Sequence, residues 1–168
     1  MNRLVLSRTT IDCVVDLSRI ISQCLCVCSA LSACSNLRTL RLSSCGVGDG
    51  RGLLRCPTLQ HFEVSECRFL PNLRGVNECT SLTSVMLSDC PALRDISALS
   101  KCAALTRFHV TFCPLLQDLT PLSGCPNLSS LHVRGCANLR GSAVRKYQSL
   151  RKIHMVSGNC SCSLACPT

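Results

Sequence analysis

Apolar residues along this chain fall on one frame that returns five times. The frame reads C-x-x-L-x-x-L-x-L-x-x-C. It appears as Cys34-Leu37-Leu40-Leu42-Cys45, Cys56-Leu59-Phe62-Val64-Cys67 and Cys79-Leu82-Val85-Leu87-Cys90. It returns as Cys102-Leu105-Phe108-Val110-Cys113 and Cys125-Leu128-Leu131-Val133-Cys136. A sixth copy, Leu150-Ile153-Met155, keeps the apolar positions but has Tyr147 and Gly158 where the cysteines would stand. The leading leucines, Leu37, Leu59, Leu82, Leu105, Leu128 and Leu150, lie 22, 23, 23, 23 and 22 residues apart. A fixed period in this range marks a solenoid, because one repeat cannot bury its apolar face alone and must stack on its neighbours.

Within each copy the alternation around L-x-L predicts a short strand, and the cysteine after it a turn. A return segment then carries one apolar anchor six residues before the leading leucine: Leu31, Leu53, Val76, Leu99, Leu122 and Val144. So short a segment has room for a 3₁₀ turn or a very short helix. Pro57, Pro91, Pro114 and Pro126 each directly follow a repeat cysteine, which suits turns and excludes a central ladder. The expected architecture is α/β: parallel strands on the concave face, with short 3₁₀, helical or irregular segments returning outside.

The pattern L-x-x-L-x-L-x-x-C resembles that of leucine-rich repeat proteins, with cysteine in a place often held by asparagine. The match runs over roughly residues 31–158. The inter-strand segments Cys90-Pro91-x-Leu93-x-Asp95-Ile96-Ser97-x-Leu99-Ser100-x-Cys102 and Cys113-Pro114-x-Leu116-x-Asp118-Leu119-Thr120-x-Leu122-Ser123-x-Cys125 nearly duplicate each other. They resemble the leucine-rich repeat proteins of trypanosomatid parasites. The resemblance implies a solenoid that serves as a scaffold, adaptor or regulatory subunit. Related repeats act in ubiquitin-ligase substrate receptors and in adenylate-cyclase regulation, but no RING, F-box or cyclase segment is visible in this sequence.

Both ends leave the frame. In residues 1–30, Cys13 and Cys24 have the repeat spacing, while Asp16 and Arg19 fall where leucines belong. The alternative is a helix capped by Thr10 with Ile11, Val14, Val15, Ile21 and Leu25 on one face. Either a degenerate repeat or an N-terminal cap is expected there, since an open solenoid must cover its end. Residues 31–158 make about six repeats, and residues 159–168 form a Cys-rich tail expected to be disordered. Gly46-Val47-Gly48-Asp49-Gly50-Arg51-Gly52 reads as a flexible return loop. It lacks the Gly-Lys-Ser/Thr ending of a phosphate loop.

Composition sharpens this reading. Apolar residues make up 46% of the 168, but aromatics only 3%, so the core must be leucine, valine and thiol. Seventeen cysteines would suggest a disulfide framework in a short secreted chain. Here ten occupy the two repeat positions, where a buried thiol packs and donates weakly to carbonyls. Cysteines flanking one strand are too far apart to bridge, and those of one column point the same way. Reduced cysteines and an intracellular setting, cytoplasmic or nuclear, are expected. The start shows no apolar stretch of signal-peptide length, and Ile20–Leu37 is too polar for a transmembrane segment. Zinc at Cys160, Cys162 and Cys166 would need a fourth ligand such as His154, and one-residue spacing, as also in Cys24-x-Cys26-x-Cys28, disfavours it.

If Leu40 and Leu42 point inward, Thr39, Arg41 and Ser43 point outward. Stacking then gives a middle column of Arg41, Glu63, Met86, His109, His132 and His154. One flank reads Thr39, His61, Ser84, Arg107, Ser130, Lys152; the other reads Ser43, Ser65, Ser88, Thr111, Arg134, Val156. All four histidines fall on this face. No carboxylate accompanies the last three to orient their rings, so neither a metal nor another cofactor is expected. Inward thiols and outward imidazoles cannot form a nucleophile–base pair, which argues against an enzyme.

The net charge is +9, and no acidic residue follows Asp118, while Arg134, Arg140, Arg145, Lys146, Arg151 and Lys152 accumulate. The expected function is binding a protein partner, of acidic character if the charge is used. Arg41, Glu63, Met86, Arg107, His109, His132, Arg134, Lys152 and His154 would carry it. Nucleic acid is disfavoured because the concave face is expected to offer no aromatic side chain for a base. The alternatives are binding of nucleic acid or an anionic surface through the basic C-terminal end, or a recognition fragment of a larger protein.

Overall fold

The structure, a computed structural model, describes residues 13–16, 36–44, 56–139, 147 and 152–156, with backbone alone for the first and last of these segments. Seven strands form one parallel sheet in sequence order: β1 (Cys13–Asp16), β2 (Leu37–Ser43), β3 (His61–Ser65), β4 (Ser84–Ser88), β5 (Arg107–Thr111), β6 (Ser130–Arg134) and β7 (Lys152–Val156). Between them lie the 3₁₀ turns η1 (Val76–Glu78), η2 (Ser97–Lys101) and η3 (Thr120–Gly124), and the described residues include no α-helix. This is the leucine-rich repeat solenoid expected from the frame.

The return segment has a period of its own that dictates this geometry. Cys90, Leu93, Ile96, Leu99, Cys102 and Leu105 stand three apart and all are buried at 0–1% exposure. Cys67, Leu70, Leu73, Val76, Cys79 and Leu82 repeat the spacing, as do Cys113, Leu116, Leu119, Leu122, Cys125 and Leu128. Three residues per turn matches a 3₁₀ helix, whereas on an α-helix anchors three apart would drift by about 60° each and soon leave the core. Both cysteines of a repeat open the same C-x-x-L turn. Leu82 donates its N–H to the carbonyl of Cys79 (3.1 Å), and Leu93 donates to Cys90 (3.1 Å). In the strands the period drops to two, burying Val85 and Leu87, Phe108 and Val110, and Leu131 and Val133.

The thiols satisfy polar backbone that the stack would otherwise strand. After β3 to β6, Cys67, Cys90, Cys113 and Cys136 place Sγ at 3.3–3.5 Å from the carbonyl oxygen two residues earlier. Before the strand, Cys102 and Cys125 instead donate to the return-segment carbonyls of Val76 (3.6 Å) and Leu99 (3.2 Å). Tyr147, which stands for a cysteine in the sixth copy, does the same chemistry, its hydroxyl reaching the Leu119 carbonyl at 2.8 Å. The substitution conserves a donor as well as an apolar body. A hydroxyl ladder adds to this: Thr83 donates to the Gln60 carbonyl, and Thr106 and Ser129 to those of Thr83 and Thr106. No polar or charged residue is buried among the described ones.

Strands β2 to β6 are each followed by a left-handed residue. Ser44, Glu66, Asp89 and Phe112 have φ of 52–56°, and Gly135 has 65°. The bend aims the Ser44 N–H at the Ser65 carbonyl, and those of Glu66, Asp89 and Phe112 at Ser88, Thr111 and Arg134. Such a φ costs a non-glycine residue roughly 1–2 kcal/mol, so one donor per repeat is satisfied at the expense of backbone strain.

The N-terminal segment corrects one expectation. Cys13–Asp16 is a strand, so the helical alternative does not hold over these four residues. Nor does the Cys13–Cys24 frame: Val15 pairs with Leu40 and Asp16 with Arg41, placing Asp16 at a register position shared with Arg41, while a shift between Cys13 and Val14 sets Cys13 opposite Leu37. Cysteine spacing is a poorer guide to frame here than the apolar pair at the strand centre. Cys34, Cys45, the loop at 46–52 and the tail lie outside the described residues.

Two substitutions test the stack. Leu105→Ala removes a fully buried anchor and should cost about 2–5 kcal/mol in a urea titration. A Cβ on Gly124 would stand 2.2 Å from the Ser100 carbonyl oxygen, where η3 lies on η2. Gly124→Ala should therefore destabilise by about 1–3 kcal/mol although it adds one methyl group.

A candidate interaction face

Residues that alternate with the buried strand positions line the other side of the sheet. Pairing aligns Arg41, Glu63, Met86, His109, His132 and His154 in one row. Thr39, His61, Ser84, Arg107, Ser130 and Lys152 make a second row, and Ser43, Ser65, Ser88, Thr111, Arg134 and Val156 a third. Seven of the nine predicted binding residues, Arg41, Glu63, Met86, Arg107, His109, His132 and Arg134, are solvent-accessible on this one face. For Lys152 and His154 the register position is known, and the side chains lie outside the described residues. Arg140, Arg145, Lys146 and Arg151 lie outside them too.

The face has two halves of different character. Toward β2 and β3 its charges are spent on each other. Arg41 Nε donates to Glu63 Oε2 at 2.9 Å, with both side chains about half exposed. A pair that open to water contributes at most about 1 kcal/mol. Beside it is a shallow depression of about 180 Å³ lined by Thr39, Arg41, His61, Glu63, Ser84 and Met86. Met86, 42% exposed, is the apolar point of the face.

Toward β5 and β6 the charge is of one sign. The His109 and His132 rings lie 5.4 Å apart and tilted by 45°, close to the strand spacing of roughly 4.8 Å. Arg107 precedes His109 by two on β5, and Arg134 follows His132 by two on β6, so an arginine flanks the imidazole pair in each outer row. No carboxylate occurs in β4, β5, β6 or β7. Among the described residues no three metal-ligating side chains converge.

Reading alternate strand positions missed Phe112. It sits one residue past β5, at φ 53°, with 47% of its surface exposed. The Arg134 guanidinium lies 5.6 Å from its ring centroid, a contact contributing about 0.5–1 kcal/mol at an exposed site. Gly135 makes room for it, since a Cβ there would meet the ring at 2.6 Å. A bulky aromatic at positive φ is unusual, and it gives the rim of this face an aromatic ring that the strand positions lack. The signal was present in Phe112-Cys113 followed one repeat later by Gly135-Cys136.

Burial makes Cys79, Cys102 and Cys125 poor nucleophiles. All eight described repeat cysteines are buried and present as thiols rather than disulfides. Burial pushes Cys79 and Cys125 up to about 11 and Cys102 to about 12. Between Cys90 and Cys113, the hydrogen bond linking the two sulfurs holds the proton on Cys113 and raises it, with burial adding to the effect. The same bond lowers Cys90.

A family model described as Leucine Rich repeat matches residues 33–50. No curated protein matches the chain. Among solved structures, an internalin (inlF) from Listeria monocytogenes is similar over 77% of this chain and 50% of its own length, at 20% identity and a TM-score of 0.49. An internalin C2 (inlC2) from the same organism is similar over 75% and 74%, at 15% identity and a TM-score of 0.46. The chain thus spans half the length of the first. Among the described residues no helix is long and apolar enough to cross a membrane.

The raised thiols couple folding to alkaline pH. Their ordinary value is 9.0, and in the fold Cys79, Cys102 and Cys125 titrate at about 11–12. An acid raised on folding stabilises fully below its unfolded value and loses that contribution as pH climbs through the folded one. The melting temperature should therefore fall between pH 9 and 11. The fall should be shallower in Cys79→Ala/Cys102→Ala/Cys125→Ala, compared by calorimetry.

Proposed function

We propose that this chain is a protein-interaction scaffold or adaptor that engages a protein partner through the solvent face of its sheet, the concave side of the solenoid. One observation carries the reading: consecutive in-register strands hold Arg41, Glu63, Met86, Arg107, His109, His132 and Arg134 on a single accessible face. Lys152 and His154 extend the same rows by register. The backbone beneath is fixed by the stack, so these side chains meet a partner with little ordering of the main chain. A few arginine and apolar contacts usually dominate such an interface, with polar groups around them. Met86 and the arginines fill those roles. The reading includes a cysteine-containing repeat protein of the kind its return segments resemble, with no catalytic step of its own.

Site-resolved photo-crosslinking tests it. With p-benzoylphenylalanine at position 86, a lysate of the source cells should yield a protein adduct that position 100, on the return side, does not. Arg41→Glu/His109→Glu/His132→Glu should lower the captured partner's affinity at least about tenfold, equivalent to 1.4 kcal/mol, with an unchanged circular dichroism spectrum. Equal crosslinking from both positions, or unchanged affinity in the folded variant, would remove the sheet face as the binding site.

A further inference from the structure

We infer that the depression across β2, β3 and β4 seats a tyrosine side chain contributed by the protein partner. The inference rests on the protein-binding reading above and names the group that enters the face. Strand pairing sets the walls on a small grid. Thr39, His61 and Ser84 stand side by side in one row, and Arg41, Glu63 and Met86 in the next. Neighbours within a row are roughly 4.8 Å apart, and the rows lie about 6–7 Å apart along the strands. All six residues line the depression.

Size limits what can enter. At about 180 Å³ the depression falls below the roughly 300–1,000 Å³ of pockets that enclose a free small molecule. It has room for one side chain, presented by a larger body that rests on the surrounding face.

Charge limits it further. Arg41 Nε donates to Glu63 Oε2 at 2.9 Å, so both signs lie on one wall. A charged occupant would meet a like charge about as closely as an opposite one, which disfavours lysine, arginine, aspartate and glutamate. A purely apolar occupant would cover the half-exposed pair and return no hydrogen bond for the water it displaces. What remains is a neutral side chain with an apolar body and a polar tip.

Three contacts select tyrosine among these. The exposed Met86 thioether offers sulfur and methyl to an aromatic ring. The Arg41 guanidinium, held by Glu63, presents a flat cation for the ring face to cover. The ion pair uses Glu63 Oε2, and Oε1 remains as an acceptor for the phenolic hydroxyl. Asparagine and glutamine carry a polar tip but no ring for Met86 and Arg41, and tryptophan is the bulkiest side chain for so shallow a site. Tyrosine also has few rotatable bonds to freeze, so its burial costs little ordering.

The test uses the full chain, isotope-labelled at its methionine methyls, and end-blocked Gly-Gly-Xaa-Gly-Gly peptides. The central residue is tyrosine, phenylalanine, glutamine, arginine or glutamate. The Met86 methyl signal, identified by its loss in Met86→Leu, is followed by NMR as peptide is added. The tyrosine peptide should shift it saturably through the ring current and bind at least about threefold more tightly than the phenylalanine peptide. The other three should give no saturable shift. Glu63→Leu removes the acceptor and should erase the preference for tyrosine over phenylalanine. Arg134→Gln, on the same face but outside the depression, should leave the affinity within about twofold of wild type.

A tyrosine peptide that produces no saturable shift would overturn the inference. So would equal binding of the phenylalanine peptide, tighter binding of the arginine or glutamate peptide, or an unchanged preference in Glu63→Leu. A loss in Arg134→Gln equal to that in Glu63→Leu would place the site elsewhere on the face and overturn it too. If position 86 still crosslinks a partner while the tyrosine peptide fails to bind, the tyrosine inference falls and the protein-binding reading stands.

Discussion

One constraint governs this fold: a turn of some 22–23 residues has no inside of its own. Its leucines, thiols and β-branched residues are covered only when the next turn lies on them. Everything else is an accommodation to that stacking. The return segment must bring an anchor inward every third residue, so it is built of turns and a short 3₁₀ stretch. The strand must place two, so it alternates. Where strand gives way to turn, the chain bends through a left-handed residue whose N–H reaches the neighbouring strand. Small donors then satisfy carbonyls inside the stack, and cysteine suits this because it is apolar in bulk and still donates through sulfur. Tyr147 shows that the donor matters as well as the volume.

The same stacking creates the surface. Because parallel strands pair in register, a residue type chosen at one repeat position becomes a row roughly 4.8 Å apart. Opposite charges in neighbouring repeats then neutralise each other, as Arg41 and Glu63 do. Like groups reinforce each other, as His109 and His132 do beside Arg107 and Arg134. The face is thus divided into a half that holds an internal ion pair and a half whose strands carry no carboxylate. Phe112 and Gly135 belong to this second half: the glycine yields space, the ring fills it, and Arg134 rests against the ring.

Much of this was legible in the sequence because the repeat is strict. Strand centres, buried thiols and the three outward rows follow from where leucine and cysteine recur. The period of three in the return segment was equally visible, in Cys90-Leu93-Ile96-Leu99-Cys102, and decides between 3₁₀ and helix. The left-handed turn was not legible, because Ser44, Glu66 and Asp89 share no residue type and Phe112 is an unlikely occupant. The first strand was misread for a physical reason: Cys13 mimics the cysteine spacing, while the register is set by Val15 against Leu40. Partner chemistry is not encoded in periodic positions at all. It emerges only where the rows bring charge together.

The central claim, that stacking seals the repeat positions, is tested most directly by alkylating the native protein. Peptide-resolved mass spectrometry would then report the modification at each cysteine. The account predicts that Cys56, Cys67, Cys79, Cys90, Cys102, Cys113, Cys125 and Cys136 stay unmodified until denaturant is added and then react as thiols. Rapid native alkylation across the central repeats, or recovery of these cysteines as disulfides, would contradict it.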